Sequence, residues 1–325
     1  MQSYKKISLC LIAALSVVIL LIACGSGSDK GEQKNSRTSS TIRVSGAWAL
    51  YPMMVRWADE FTKTHPNYQI DVAAGGAGKG VADTLAGLVD IGMVSRDIKT
   101  EELQKGAWHV PVVKDAVFPI MNANNPALKE VMSKGLTKKK FLALWNEGKK
   151  LTWGQLTGGS FSDRVQVYTR SDACGAAETW AKYLDNRNQE DLRGVAVYGD
   201  PGITEAVKKD LSGIGYNNLN YAYDIKTGLP QIGIRIIPID INENGRIDPE
   251  EDLTSKEKAI RAVIAGVYPS PPVRELNLIV RGKLSRPVQE FIQWILTDGQ
   301  RFVEEVGYIK ISEKQISEAL AKVKE

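Results

Sequence analysis

The chain has 325 residues and a net charge of +4, with 42 Lys and Arg against 38 Asp and Glu. A balance so close to neutral argues against a nucleic-acid binder or a protein drawn to an anionic membrane surface. Two histidines, His65 and His109, are too few and too far apart for a zinc centre, and read as surface or loop residues.

Lys5 and Lys6 precede ISLCLIAALSVVILLIAC, an apolar run of the length of a signal-peptide core. It ends in Leu21-Ile22-Ala23-Cys24, which resembles the bacterial lipobox, where the cysteine is lipidated and becomes the new N-terminus. Residues 1–23 then form a lipoprotein signal peptide, Cys24 carries the lipid, and the polar stretch 24–40 is a flexible linker. The alternative is a retained membrane-spanning helix, and both readings put the folded part outside the cytoplasmic membrane. Cys10 lies in the apolar run, so Cys174 is the lone thiol of the folded body and no internal disulfide is available. About 285 residues after the linker suffice for one large or two medium domains.

In chain order, TIRVSG reads as a buried strand and YPMMVRWADEFTKT as an amphipathic helix, with Met54, Trp57, Ala58 and Phe61 at helical spacing. Pro52 suits its first turn, where a missing N–H goes unneeded. YQIDVAA is a strand, GGAGKG a tight turn, VADTLAGL a helix and VDIGMVS a strand. KKFLALWNEGKKLTWGQL follows as helix and turn, RVQVYTR as a strand and GAAETWAKYL as a helix. SGIGYNNLNYAY and QIGIRIIPID are strand-rich, ELNLIVRG is a strand, and the last two segments, from Pro287 and from Ile311, are helical. Alternation of this kind predicts an α/β fold with a largely parallel sheet.

Three glycine-bearing junctions, SGAWALYP, AAGGAGKGV and RSDACGAAE, stand where a strand passes into a helix. A helix N-terminus offers unpaired N–H groups and a positive dipole end, and glycine lets backbone approach a ligand. Three such ends in one cleft would hold an anion.

DINENGRIDPEE carries a second motif. Counted from Asp240, oxygen donors fall at one (Asp240), three (Asn242), five (Asn244), nine (Asp248) and twelve (Glu251), with the Arg246 carbonyl at seven and Gly245 at six. This is the pattern of an EF-hand-type calcium loop, at 240–251, and Ca2+ is the cofactor it predicts. A strand-like run precedes it, so it is read as a lone structural loop.

The succession SGAWALYP, WADEF, AAGGAGKGV, VDIGMVSR, YTRSDACGA, GIGYNNLNYAY and GYIKIS is similar to the phosphate-binding proteins of bacterial ABC transporters, over nearly the whole chain after the linker. The resemblance implies a two-lobed periplasmic-binding-protein fold with a hinge and the ligand in the inter-lobe cleft. Lobe 1 is then 41–118 plus 277–325 and lobe 2 is 119–276, with crossings near Val117–Asn125 and Pro272–Leu278. It implies inorganic phosphate or a related oxyanion as ligand, ABC permease subunits as partners, a monomer, a membrane lipid anchor, and no enzymatic activity or nucleic acid.

Carried over residue by residue, the resemblance makes Arg170 the arginine that pairs with the anion and Asp172 the carboxylate that holds it. Ser95 is a hydroxyl donor, and Gly175 a glycine of the helix-start turn. Cys174 and Ala176 stand where the family has Ser and Thr; Ala47, Trp48 and Ala49 replace first-loop hydroxyls, with Leu50 after them. Arg96 replaces an acceptor aspartate and assists with the anion, while Gly78 belongs to the second glycine turn. Trp48 either walls the cleft or packs in the core. Cys174, at a helix start beside an arginine, is expected to have a lowered pKa and is either a weak donor or a filler. Two other functions stay open: a calcium-dependent sensory or surface-interaction module on the same fold, and a thiol-dependent secreted enzyme.

Overall fold

The computed structural model describes residues 40–185 and 188–324. The signal segment 1–23, Cys24 and all of the linker before Ser40 lie outside the described residues. The first part runs β1 (Ser40–Gly46), α1 (Tyr51–Thr64), β2 (Tyr68–Ala74), α2 (Ala77–Leu85), β3 (Ile91–Val94) and α3 (Thr100–Gln104). Next come β4 (Ala107–Asn122), α4 (Leu128–Lys134), α5 (Lys138–Trp145), α6 (Trp153–Thr157), β5 (Gln166–Arg170) and α7 (Gly175–Tyr183). They are followed by β6 (Val195–Val197), α8 (Gly199–Lys209), β7 (Gly213–Asn218), α9 (Leu219–Ala222) and β8 (Ile234–Ile236). The chain closes with α10 (Lys256–Ile264), β9 (Val273–Arg281), α11 (Arg286–Leu296) and α12 (Glu313–Lys324).

The apolar stripe of α1 faces inward as its spacing predicts: Met53, Met54, Trp57, Ala58 and Phe61 are buried. The Trp57 indole donates to the Gly299 carbonyl at 2.9 Å, so the one polar atom it brings into the core is satisfied. GGAGKG is less of a turn than its composition suggests. Gly76 makes the bend with φ of 87°, and α2 begins at once at Ala77, taking in Gly78 and Gly80.

The strands lie in the order β2-β1-β3-β9-β4-β7-β5-β6, with β8 added beside β4. The sheet is mixed, not largely parallel. Strand–helix–strand units give the parallel pairs β1/β2, β1/β3, β5/β6 and β5/β7. β9 and β4 instead pair antiparallel with each other and with β3, β7 and β8. β4 is what positions the site. Ala107–Ala116 pairs with β9, and from Val117 the same strand pairs with β7.

Two separate cores result. One gathers side chains from Ile42 to Val113 and from Leu276 to Val323; the other gathers Ala116 to Tyr268. One continuous strand thus serves two α/β halves, and the starts of α1, α2, α7 and α8 meet between them.

Candidate functional site

Arg170 ends β5, and its side chain is 1% exposed. Its Nε and Nη2 donate to the two oxygens of Asp172 at 2.8 and 2.6 Å, and its Nη1 donates to Asp200 at 2.7 Å. Burial disfavours the guanidinium charge, but Asp200 and Asp172 outweigh it and hold the pKa above its ordinary value. Three of five N–H donors are engaged, which leaves two on the terminal nitrogens.

Asp200 was not legible as a site residue. It sits in the first turn of α8, 1% exposed, and also accepts from the Asn218 amide. Arg274 is the second unforeseen member. Its Nη1 donates to the Gly175 carbonyl at 2.7 Å and its Nη2 reaches Asn218 and, at 3.5 Å, Asp115, while its buried Nε has no partner among the described residues. Burial raises Asp115 to about 6, with Arg274 opposing. Nothing in G-D-P-G or V-R-E-L marks these side chains in sequence; only the pairing of β4, β7 and β9 brings them beside β5.

The start of α7 lies against Ser95. A methyl group on Gly175 would stand 2.0 Å from the Ser95 carbonyl oxygen and 2.3 Å from its Oγ. Gly175 and Ala176 are the first two residues of α7, so their N–H groups have no partner within the helix. Ser95, 2% exposed, directly follows β3, so strand and helix ends from the two halves face each other here.

Cys174 corrects the expectation of a lowered pKa. It is 5% exposed, and burial pushes the thiol up to about 12 despite Arg170. Its Sγ accepts the Ala177 N–H at 3.4 Å. The thiol caps α7 as a serine hydroxyl would.

Trp48 does not join the core of its own half. Its ring stands edge-on to Tyr198 and Tyr221 of the other half, and a Cβ on Gly199 would be within 3.3 Å of it. Its buried Nε1 is without a partner among the described residues. Ala49 and Leu50 are core residues: the Ala49 carbonyl accepts from Tyr308 and the Leu50 N–H goes to Ala47. Gly78, expected at the anion, gives its N–H to the Ala173 carbonyl at 3.0 Å, because α2 abuts the segment leading into α7.

Arg96 differs most from expectation. Its terminal nitrogens donate to Glu102 at 2.7 and 3.0 Å and to the Asp97 carbonyl, and its Nε lies 3.4 Å from Glu178 on α7. Burial opposes its charge, and these carboxylates more than restore it. Lys182, also on α7, adds a bond to Asp97 at 2.6 Å. These residues bridge the halves instead of lining an anion. A cavity of about 550 Å³ flanks the bridge, with Arg96, Lys114, Lys182 and Arg274 on its wall. Asp97 and Glu275 line the same cavity, so its wall is mixed in charge with an excess of basic groups.

The DINENGRIDPEE loop folds around its own carboxylates. Asp240 accepts the N–H groups of Asn244 and Gly245, and Glu251 those of Ile241 and Asp248. The amide nitrogens of Asn242 and Asn244 point to Asp248, which also takes Arg246 Nε at 3.0 Å. Among the described residues, no three His, Cys, Asp or Glu side chains are grouped as a metal centre.

Two halves with their own cores, joined by continuous strands and facing each other across a buried arginine and a capped helix start, define a two-lobed binding protein. The chain belongs to the family described as the PBP superfamily domain, whose model matches residues 31–299. It is 25% identical to the phosphate-binding protein PstS of Staphylococcus haemolyticus, over 98% of this chain and 97% of that one. Among solved structures it is similar to one described as a phosphate ABC transporter substrate-binding protein with bound phosphate, from Clostridium perfringens. That match has a TM-score of 0.67 and 24% identity, covering 84% of this chain and 100% of the other. An ABC-type phosphate transport receptor from Vibrio cholerae gives 0.60 and 17%, covering 83% and 100%.

Proposed function

We propose that this protein captures an inorganic oxyanion, phosphate foremost, between its two halves and delivers it to a membrane permease. The observation that carries the reading is Arg170: buried, fixed by two aspartates, with two donors remaining, beside the free N–H groups at the start of α7. The phosphate-binding relatives support it, as does closure contact between Ser95 and Gly175. Calorimetric titration of the purified protein with phosphate, sulfate, arsenate, molybdate and tungstate tests it. Phosphate binding that Arg170→Ala abolishes is expected; micromolar binding retained by that variant would sink the assignment.

The proposal extends to location and to calcium. Lys5, Lys6 and the L-I-A-C ending support export and lipid anchoring through Cys24, in keeping with transport from outside the membrane. Asp240 and Glu251 are 3% and 4% exposed, and among the described residues neither has a basic side chain within 4 Å. Nearly buried carboxylates in that position fit a cation. Asp240, Asn242, Asn244, Asp248, Glu251 and the Arg246 carbonyl would hold Ca2+, which would supply a crosslink between the segments either side of the loop.

A further inference from the structure

The chain is nearly neutral in total, but its charge is uneven, and one basic face lies at the end of the sheet farthest from the cleft. We propose, resting on the lipid-anchored reading, that this end is a membrane-facing surface. It seats on anionic lipid headgroups through Lys283, Lys322 and Lys324, with Leu103 and Trp108 at the lipid–water boundary.

The sheet register defines the place. β1, β2 and β3 run parallel, and β3 ends at Val94, just before Ser95 at the cleft. β9 runs antiparallel to β3, and Ala107 at the start of β4 pairs with Arg281 at the end of β9. The opposite end of the sheet therefore gathers the starts of β1, β3 and β4 and the turn after β9. The last turn of α12 joins them, because the Gln289 amide donates to the Val323 carbonyl at 2.7 Å. A cavity of about 900 Å³ opens there. Lys283, Lys322 and Lys324 line it with Leu103, Trp108 and Leu284, and among the described residues no acidic side chain does. All three lysines are exposed, and none has a described carboxylate within 4 Å.

The apolar groups are of the kind a lipid boundary accepts. Leu103 is 42% exposed, and Leu88, in the loop before β3, is 62% exposed. Trp108 is half-buried, and its Nε1 donates to the Gly282 carbonyl at 2.9 Å, which ties an amphipathic ring to the cavity rim. Rings and aliphatic stems can then meet the hydrocarbon edge while the ammonium groups meet phosphates.

The occupant follows from where the chain leaves this surface. Ser40, the first residue of β1, stands at the same end. With Cys24 lipidated, about sixteen residues keep Ser40 within about 55 Å of the bilayer by any path. Contact through this end is then close to intramolecular. Each lysine near an anionic surface strengthens it about fivefold, so three together give about a hundredfold. The cleft lies beyond the other end of the strands, about 20 Å further out for the seven residues of β1, and stays clear to take up an anion.

The test places the full lipidated chain in phosphatidylcholine vesicles, in vesicles with about one-third phosphatidylglycerol, and in detergent. A membrane-impermeant acylating reagent reads each lysine by mass spectrometry, with Lys209 and Lys226, exposed on the other half, as references. In the anionic vesicles Lys283, Lys322, Lys324 and the nearby Lys105 are expected to react about fivefold more slowly than in detergent. The references stay unchanged, and neutral vesicles protect little. Equal rates in anionic vesicles and detergent overturn the inference while leaving the anchor in place. Slow reaction in detergent as well means that a second copy covers the face, which also overturns it. Charge reversal by Lys283→Glu, Lys322→Glu and Lys324→Glu together should return Lys105 to its detergent rate and leave phosphate affinity unchanged. A Lys105 still protected in that variant would remove the three lysines from the contact. A chain that floats with neither vesicle overturns the anchored reading itself.

Discussion

Gly175→Ala isolates closure from folding. Gly175 has no left-handed φ, so alanine suits the backbone, and in the first turn of α7 it should help the helix by up to about 1 kcal/mol. Its methyl group would nonetheless stand 2.0 Å from the Ser95 carbonyl oxygen, where ordinary contact begins at 3.4 Å. The start of α7 and the end of β3 must then separate by about 1.4 Å, the difference of those distances. Hydrogen bonds tolerate only about half an ångström before they are lost, so an anion spanning the gap keeps its partners on one side only. Two lost bonds to a charged ligand, at about 1.5 kcal/mol or more each, amount to about 3 kcal/mol. That is about a hundredfold in affinity, at 1.4 kcal/mol per tenfold. Calorimetry with phosphate reads the affinity and a thermal melt reads the fold. An unchanged melt with a hundredfold weaker Kd is expected. Affinity within fivefold of wild type would mean that the Ser95–Gly175 approach has no part in binding.

Three further outcomes follow from the same geometry. Arg96→Gln removes the bridge to Glu102 and Glu178 without touching Arg170, so it should weaken phosphate by about tenfold and make scattering in phosphate report a more open form; abolished binding would return Arg96 to the anion. Asp115 has a folded pKa raised from 3.8 to about 6, so its stabilising contribution is full below about pH 4 and is lost as pH rises through 6. Asp115→Asn should therefore gain stability relative to wild type between pH 4 and 7, by up to about 3 kcal/mol at about 1.4 per unit, and equal pH slopes in denaturant titrations would contradict this. Removing calcium with EDTA should lower the melting temperature by several degrees, an effect absent in Asp240→Asn; identical melts with and without chelator would remove the metal from the loop.

Where local chemistry decides, the sequence was a reliable guide. The helix starts at Pro52 and at Gly175 follow from turn residues and spacing and fall where expected, whereas α2 begins at Ala77, inside the run read as a turn and four residues before Val81. β4 was hidden by Pro111 and Pro119, which argue against a strand, although the ladder accommodates Pro111 with a register shift before Val113. The environment of Cys174 was misjudged because a helix start and an arginine are visible in sequence but burial is not, and burial dominates. Asp200 and Arg274 lie 30 and 104 residues from Arg170 in the chain, and only the sheet order unites them. Arg96 follows the same logic, since Glu178 reaches it from the other half.

The half that opens the chain is also the half that ends it. Its core needs side chains from Ile42 to Val113 together with Leu276 to Val323, whereas the other core is complete between Ala116 and Tyr268. During synthesis from the N-terminus, the inner half can consolidate first, while β1, β2 and β3 wait for β9, α11 and α12. The earliest-made strands are thus the last to be covered, and β3 has an open edge until β9 arrives. A chain stalled or cut after Tyr268 would leave a folded inner half trailing an unpaired, aggregation-prone sheet, which makes the C-terminal fifty residues a folding requirement as much as a structural one.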